Sequence, residues 1–202
     1  MLNPDNHTPA PAGPAQFGTN KCIPKVIETE VLRALSHYPE LKETHINFVF
    51  KRRIRGSVMQ AQPKISTMFS TKRAYNINIS AMFRLTHSAI PIHQIPSDII
   101  VGWIGHELGH VMDYENRSLT GMMHFGLGYL LSSKYVKEAE RVADTYAVNH
   151  GLGNYILKTK HFILDHASLS EKYKRKIARL YLSPDDIVEQ VKKLEAKRTL
   201  PS

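Results

Sequence analysis

Apolar and polar positions alternate in two short stretches of this chain and recur at helical spacing through much of the remainder. Residues 45–51, HINFVFK, alternate in part and are rich in strand formers. Residues 74–80, AYNINIS, alternate cleanly, with Tyr75, Ile77 and Ile79 on one face and Asn76, Asn78 and Ser80 on the other. A polar face of that kind suits an exposed or edge strand. Gly56 and Ser57 supply a turn after which residues 58–62 can pair back, so the expectation is a small three-stranded, mostly antiparallel sheet.

Helical periodicity brackets this sheet. Pro24 can open a helix reaching about Tyr38, with Val26, Ile27, Val31, Leu32 and Leu35 on one side and Pro39 as its stop. A helix over about 98–114 follows, with Ser97 as its N-cap and Asp98 at its positive end. Another covers about 134–150 and ends at Gly151. Three more are expected near 154–165, 170–181 and 184–197, the last opened by Ser183-Pro184. The order of helix, sheet and then helices predicts an α+β domain over residues 21–198. Residues 1–20, rich in Pro, Ala, Gly and Asn, read as a flexible leader, and 199–202 as a tail.

Composition narrows the function classes. With 202 residues, 42% hydrophobic and 22% charged, the chain is an ordinary globular domain. Its single cysteine, Cys22, excludes an internal disulfide and any zinc site built on two or more cysteines. No signal-peptide pattern and no spanning run is present, so a cytoplasmic location without integral membrane spans is expected. The most apolar stretch, 119–131, is too short to span and holds three glycines. It reads as a loop or short helix that covers something, with contact to a membrane surface as the lesser alternative. A net charge of +9 can favour nucleic acid, anionic lipid or acidic substrates. The basic residues are scattered rather than interleaved with aromatics, so a solvated surface is the preferred reading.

The candidate chemistry lies in the 98–114 helix. His106-Glu107-Leu108-Gly109-His110 is H-E-x-x-H, and two histidines four apart share one helical face and can reach one ion. Glu107, beside the first ligand, is placed to take a proton from a metal-bound water. Gly105 and Gly109 are each about 1 kcal/mol poorer than Ala in a helix. Two in one turn imply that a neighbour packs very close, such as a second helix carrying a third ligand. The metzincin pattern fails, because Asp113 and Asn116 occupy the positions of its Gly and His. His124 is one alternative. The favoured one is Glu140, which shares a helical face with Asp144. Glu140 can bind zinc while Asp144 accepts a hydrogen bond from a ligand imidazole.

These residues resemble the gluzincin group of zinc peptidases. The nearest likeness is to the CaaX-prenyl-protease and heat-shock-protease family and its soluble relatives, the minigluzincins. There H-E-x-x-H is followed by a helix bearing E-x-x-A-D-x-x-A, which here is Glu140, Ala143, Asp144 and Ala147. The likeness is strong over about 50 residues, 100–151. It implies a zincin-like fold, one Zn2+ per chain, and hydrolysis of a peptide or protein substrate with Glu107 as general base. A downstream segment, His166-Ala167-Ser168 and Arg175-Lys176-Ile177, loosely echoes the family's His-Pro-Pro and Arg-Ile pattern without its prolines. That implies His166 as a transition-state donor, with His150, His161, Tyr173 and Tyr146 as rivals. The strand 75–80 is the expected substrate edge, with Asn76 and Asn78 adding contacts. A non-proteolytic zinc domain and a SprT-like DNA-associated protease, which relies on a third histidine, are the alternatives.

Overall fold

The structure is a computed structural model and describes residues 14–199. Its centre is a helix without a polar face. In α2 (Ser97–Glu115) every residue from Ile99 to Tyr114 is buried. A helix buried all round must have neighbours on every side. α1 (Glu28–Leu35), α4 (Ser133–Ala147), α5 (Gly153–Asp165) and the sheet surround it. Pro24 precedes a single 3-10 turn before α1, and Pro39 lies beyond its end, so the expected helix is present but shorter. The fold is α+β with a small sheet and a helical C-terminal part, as expected.

The sheet differs from the expectation in size and pairing. It has four strands in the order β1 (Lys21–Cys22), β2 (His45–Lys51), β4 (Ala74–Ser80), β3 (Met59–Pro63). β1 runs parallel to β2 and β2 parallel to β4; only β3 is antiparallel, and it pairs with β4 rather than back onto β2. Cross-strand pairing decided this. Ile46 and Phe48 of β2 are buried, as are Tyr75, Ile77 and Ile79 of β4, and register between the two brings these apolar rows side by side on the sheet's core face. Asn47 then meets Asn76 at 3.4 Å, and Asn78 donates to Gln62 of β3 at 3.0 Å, so both amide side chains of β4 are bonded to flanking strands, while the Ser80 hydroxyl donates to Met82 O. β5 (Met82–Arg84) and β6 (Ala89–Pro91) form a separate two-stranded ribbon.

Part of the expected leader is built into the domain. Pro14–Gly18 form a 3-10 turn, and Phe17 packs on the core. The Lys21 ammonium donates to the carbonyls of Thr19, Leu41, Lys42 and Thr44 at 2.7–3.0 Å. Residues 1–13 of that leader and 200–202 of the expected tail lie outside the described residues.

The segment 119–131 is a helix, α3 (Leu119–Leu131), capped by Ser118. α4 ends in a π-turn, Val148–Leu152, where Gly151 takes φ 81°, the left-handed conformation expected of a helix-ending glycine. α6 (Glu171–Leu180), capped by Ser170, and α7 (Pro184–Thr199) complete the C-terminal part.

Candidate metal centre

α2 and α4 meet backbone to backbone at the motif. A Cβ at Gly109 would lie 3.1 Å from both the Cα and the carbonyl carbon of Ala143, and nearer still to its oxygen. Glycine is therefore required where the two helices touch, and the close neighbour implied by the sequence is α4. That approach brings Glu140 and Asp144 onto the two histidines. His106 Nε2 is 3.0 Å and His110 Nε2 3.3 Å from the same oxygen, Glu140 Oε2. All three residues are buried, and among the described residues they form a group able to hold a metal ion.

The surrounding groups orient the donors. Asp144, wholly buried, accepts from His106 Nδ1 at 2.8 Å, which directs the other ring nitrogen toward Glu140. It also accepts from Lys160 Nζ at 2.9 and 3.2 Å and from the Leu182 N–H at 3.0 Å. Tyr129 of α3 donates to Glu140 Oε1 at 3.0 Å, leaving Oε2 to face both imidazoles. His110 Nδ1 is buried and bonded to no protein group.

The electrostatics follow from this packing. Burial opposes charge on Glu140, but His106 and His110 overcome it and hold the carboxyl well below the usual range. Burial likewise opposes charge on Asp144, and Lys160 with His106 outweighs it. Burial disfavours an imidazolium at His106, yet Asp144 and Glu140 on its two nitrogens raise it to about 10. An imidazole with an acid on each nitrogen can be satisfied in two ways: as a doubly protonated cation, or with a metal ion in place of the second proton.

Glu107 is not among the three grouped donors, although it lines the same cleft as His110 and Glu140. One of its oxygens accepts the Ala61 N–H of β3 at 2.6 Å, and burial pushes its pKa up. A raised carboxyl beside a metal position suits proton uptake and return.

A cleft of about 770 Å³ opens over these groups. β3 and the segment after it form one wall, α3 another through Met122, Phe125 and Tyr129, and Glu107, His110 and Glu140 line the interior. The 119–131 segment is thus a helix that forms one wall of the cleft.

Two of the expected site assignments are corrected. β4 is an interior strand, so Asn76 and Asn78 flank no open edge; Asn76 is bonded to Asn47 and Asn78 to Gln62. The open edge beside the motif is β3. His166 is also elsewhere: its ring packs on Phe83 and Phe162, in a surface hollow with Pro96 and Asp98. Of its rivals, His150 stacks on Tyr38, His161 pairs with Asp165 on the surface, and Tyr146 accepts from Asn116. Only Tyr173 lines space shared with His106 and Glu107. His124, the rival ligand, is exposed and bonded to the Thr120 carbonyl.

Four participants were not foreseen. Lys160 did leave a signal, since it follows Ile156 by four and precedes Ile163 by three on the apolar face of α5. Tyr129, the Ala61 N–H and Tyr181, whose ring lies 5.3 Å from that of His106, are brought in by tertiary closure and left none. Compared with protein-family models, with curated proteins and with solved structures, the chain matches none, and the case for this site rests on its geometry.

Proposed function

We propose that the protein is a zinc-dependent metallopeptidase of zincin type, with His106, His110 and Glu140 holding the ion and Glu107 as general base. The observation that carries this is the convergence of three buried donors from two helices at the floor of an open cleft, with a fourth acidic group beside them and not among them. Tetrahedral zinc with bonds of 2.0–2.1 Å separates its donors by about 3.3 Å, close to the spacings between the imidazoles and Glu140. Two nitrogens and a carboxylate also suit zinc among the common divalent ions. Zinc bound there supplies Lewis acidity and acidifies the attacking water.

The chain's own residues supply the rest. Glu107 accepts the proton of that water on its carboxylate and returns it to the leaving amine. Ala61 N–H anchors Glu107 and keeps it off the metal position. Asp144 holds His106 in the tautomer that presents Nε2. Tyr173 and Tyr181, both with phenols held protonated by burial, are the nearby donors for a developing oxyanion.

The substrate strand is β3. Ser80 N–H donates to Val58 O and Lys64 N–H to Ala74 O, so every second residue of β3 bonds to β4. By the antiparallel alternation, Met59, Ala61 and Pro63 turn their peptide groups outward. The Ala61 N–H is already given to Glu107 and Pro63 has none, so an extended peptide pairs there through the Met59 N–H and the outward carbonyls, across the mouth of the site.

The test is Glu107→Gln. Zinc content stays near one per chain while hydrolysis of a casein-like substrate disappears; unchanged hydrolysis refutes the base assignment. Zinc content falls in Glu140→Ala and holds in His124→Ala. A chain that loads zinc but cleaves no member of a peptide library is the non-proteolytic alternative.

A further inference from the structure

Seven large apolar side chains stand out as strongly exposed among the described residues, and six of them lie on two segments beside the cleft. Ile65 and Phe69, each 80% exposed, follow β3. Met123, Leu127, Leu130 and Leu131, 59–82% exposed, lie on α3. The seventh, Val26, is far along the chain. Ile65 and Leu130 line the same cleft, so the two segments form rims of one opening.

α3 is unusual for a surface helix. Its 13 residues, LTGMMHFGLGYLL, contain no Asp, Glu, Lys or Arg. Met122, Phe125 and Tyr129 face the protein, and Met123, Leu127, Leu130 and Leu131 recur at i, i+4, i+7 and i+8 on the outer face. A helix apolar on both sides needs a second apolar phase against its outer side. It is too short to cross a bilayer, and no helix among the described residues is long and apolar enough to do so.

The charge pattern says what that phase is. No Asp or Glu occurs in residues 60–74 or 116–137. These segments carry Lys64, Lys72, Arg73, Arg117, Lys134 and Lys137. Lys72, Lys134 and Lys137 are exposed. Apolar side chains on two segments whose only charged residues are cations complement an anionic lipid surface, where the hydrocarbon side chains enter the headgroup–acyl boundary and the ammonium groups meet phosphates. A basic protein partner would be repelled, and a second copy of this face would bring like charges together.

We propose that the rims formed by α3 and the segment after β3 are a docking surface for an anionic membrane, seating the cleft against the bilayer. The cleft then opens at the lipid surface, and chain segments lying at that surface are the ones within its reach. The docking itself does not depend on hydrolysis, so it stands or falls apart from the peptidase reading.

The experiment is flotation of purified Glu107→Gln protein with vesicles of phosphatidylcholine alone and of phosphatidylcholine with phosphatidylglycerol. Binding is expected to the second and not the first. Leu130→Ser with Leu131→Ser, and separately Ile65→Ser with Phe69→Ser, each lowers the partition coefficient by about tenfold or more, as expected for withdrawing large apolar side chains from a nonaqueous phase. Lys72→Glu with Lys134→Glu also weakens binding, and Val26→Ser leaves it unchanged. The substituted side chains are exposed, and thermal melts confirm folding. The proposal is overturned if the protein fails to float with anionic vesicles. It is equally overturned if both apolar pairs bind like the parent, because net charge alone then explains the attraction. Sedimentation showing a dimer that the serine variants dissociate, without vesicle binding, would assign the face to a second copy instead.

Discussion

Gly109→Ala tests whether the touch of α2 on α4 sets the metal geometry. The new methyl would sit 3.1 Å from the Ala143 Cα and carbonyl carbon and would overlap its oxygen. Ordinary carbon contacts lie at about 3.5–4.0 Å, so α4 must retreat by roughly 1 Å. Overpacking of this kind costs about 1–3 kcal/mol. Alanine recovers about 1 kcal/mol of helix propensity. The net loss of folding stability is therefore about 0–2 kcal/mol, and the domain survives. The site fares worse, because Glu140 lies three residues before Ala143 and Asp144 directly follows it. Metal bonds tolerate about 0.2 Å, and a misplacement near 1 Å is worth about 100-fold at a functional site. Zinc affinity, measured by competition with a chromophoric chelator, should fall about 100-fold while the urea midpoint moves little. Gly105→Ala is the control. Its methyl meets the Leu152 Cδ1 at 2.5 Å, the end of a side chain that can turn aside, so zinc affinity should stay within a few-fold of the parent. Parental zinc affinity in Gly109→Ala would show that interhelix distance at this glycine does not control the site.

Three other outcomes follow from the same geometry. Lys160→Met should cost about 3 kcal/mol or more, since it strips a buried carboxylate of its cation; adding Asp144→Asn should restore much of that stability in denaturant melts without restoring zinc affinity. In the apoprotein His106 is raised from 6.5 to about 10, so its contribution to stability is complete below pH 6.5 and lost as pH rises through 10; zinc uptake at pH 8 should therefore expel about one proton from it, read by calorimetry in buffers of different ionisation enthalpy, and no proton release would refute the bridged imidazolium. Ala61→Pro, tolerated on an outward-facing edge position, removes the N–H that favours ionised Glu107; the acid limb of the cleavage profile should move to higher pH, and an unmoved limb would exclude that hydrogen bond from tuning the base.

The sheet shows where sequence reasoning stops. Alternation in Ala74–Ser80 correctly placed Tyr75, Ile77 and Ile79 on a buried face, because side-chain direction is a local property of a strand. The same pattern suits an edge strand because Asn76 and Asn78 are polar, yet the polarity is consumed by Asn47 and Gln62 on flanking strands. Nothing local separates a polar face turned to water from one turned to other amides. Parallel pairing of β2 with β4 likewise depends on a connection through β3 that no turn signal specifies.

The cluster of His106, His110 and Glu140 is legible for the opposite reason: its constraints are written into each helix separately. His106 and His110 declare one face of α2, Glu140 and Asp144 declare one face of α4, and Gly109 marks the place where the second helix must touch the first. Two faces and a contact point are enough to fix how rigid rods meet, so the donors converge without any loop being known in advance. His166 carries no such constraint: the pattern it resembles lacks its prolines here, and the chain after α5 takes it to Phe83 and Phe162 instead. Tyr181 arrives beside His106 through the turn after α6, where no periodicity operates. Residues held by regular elements are therefore recoverable from spacing, and those delivered by the ends of elements are recoverable only once the packing is known.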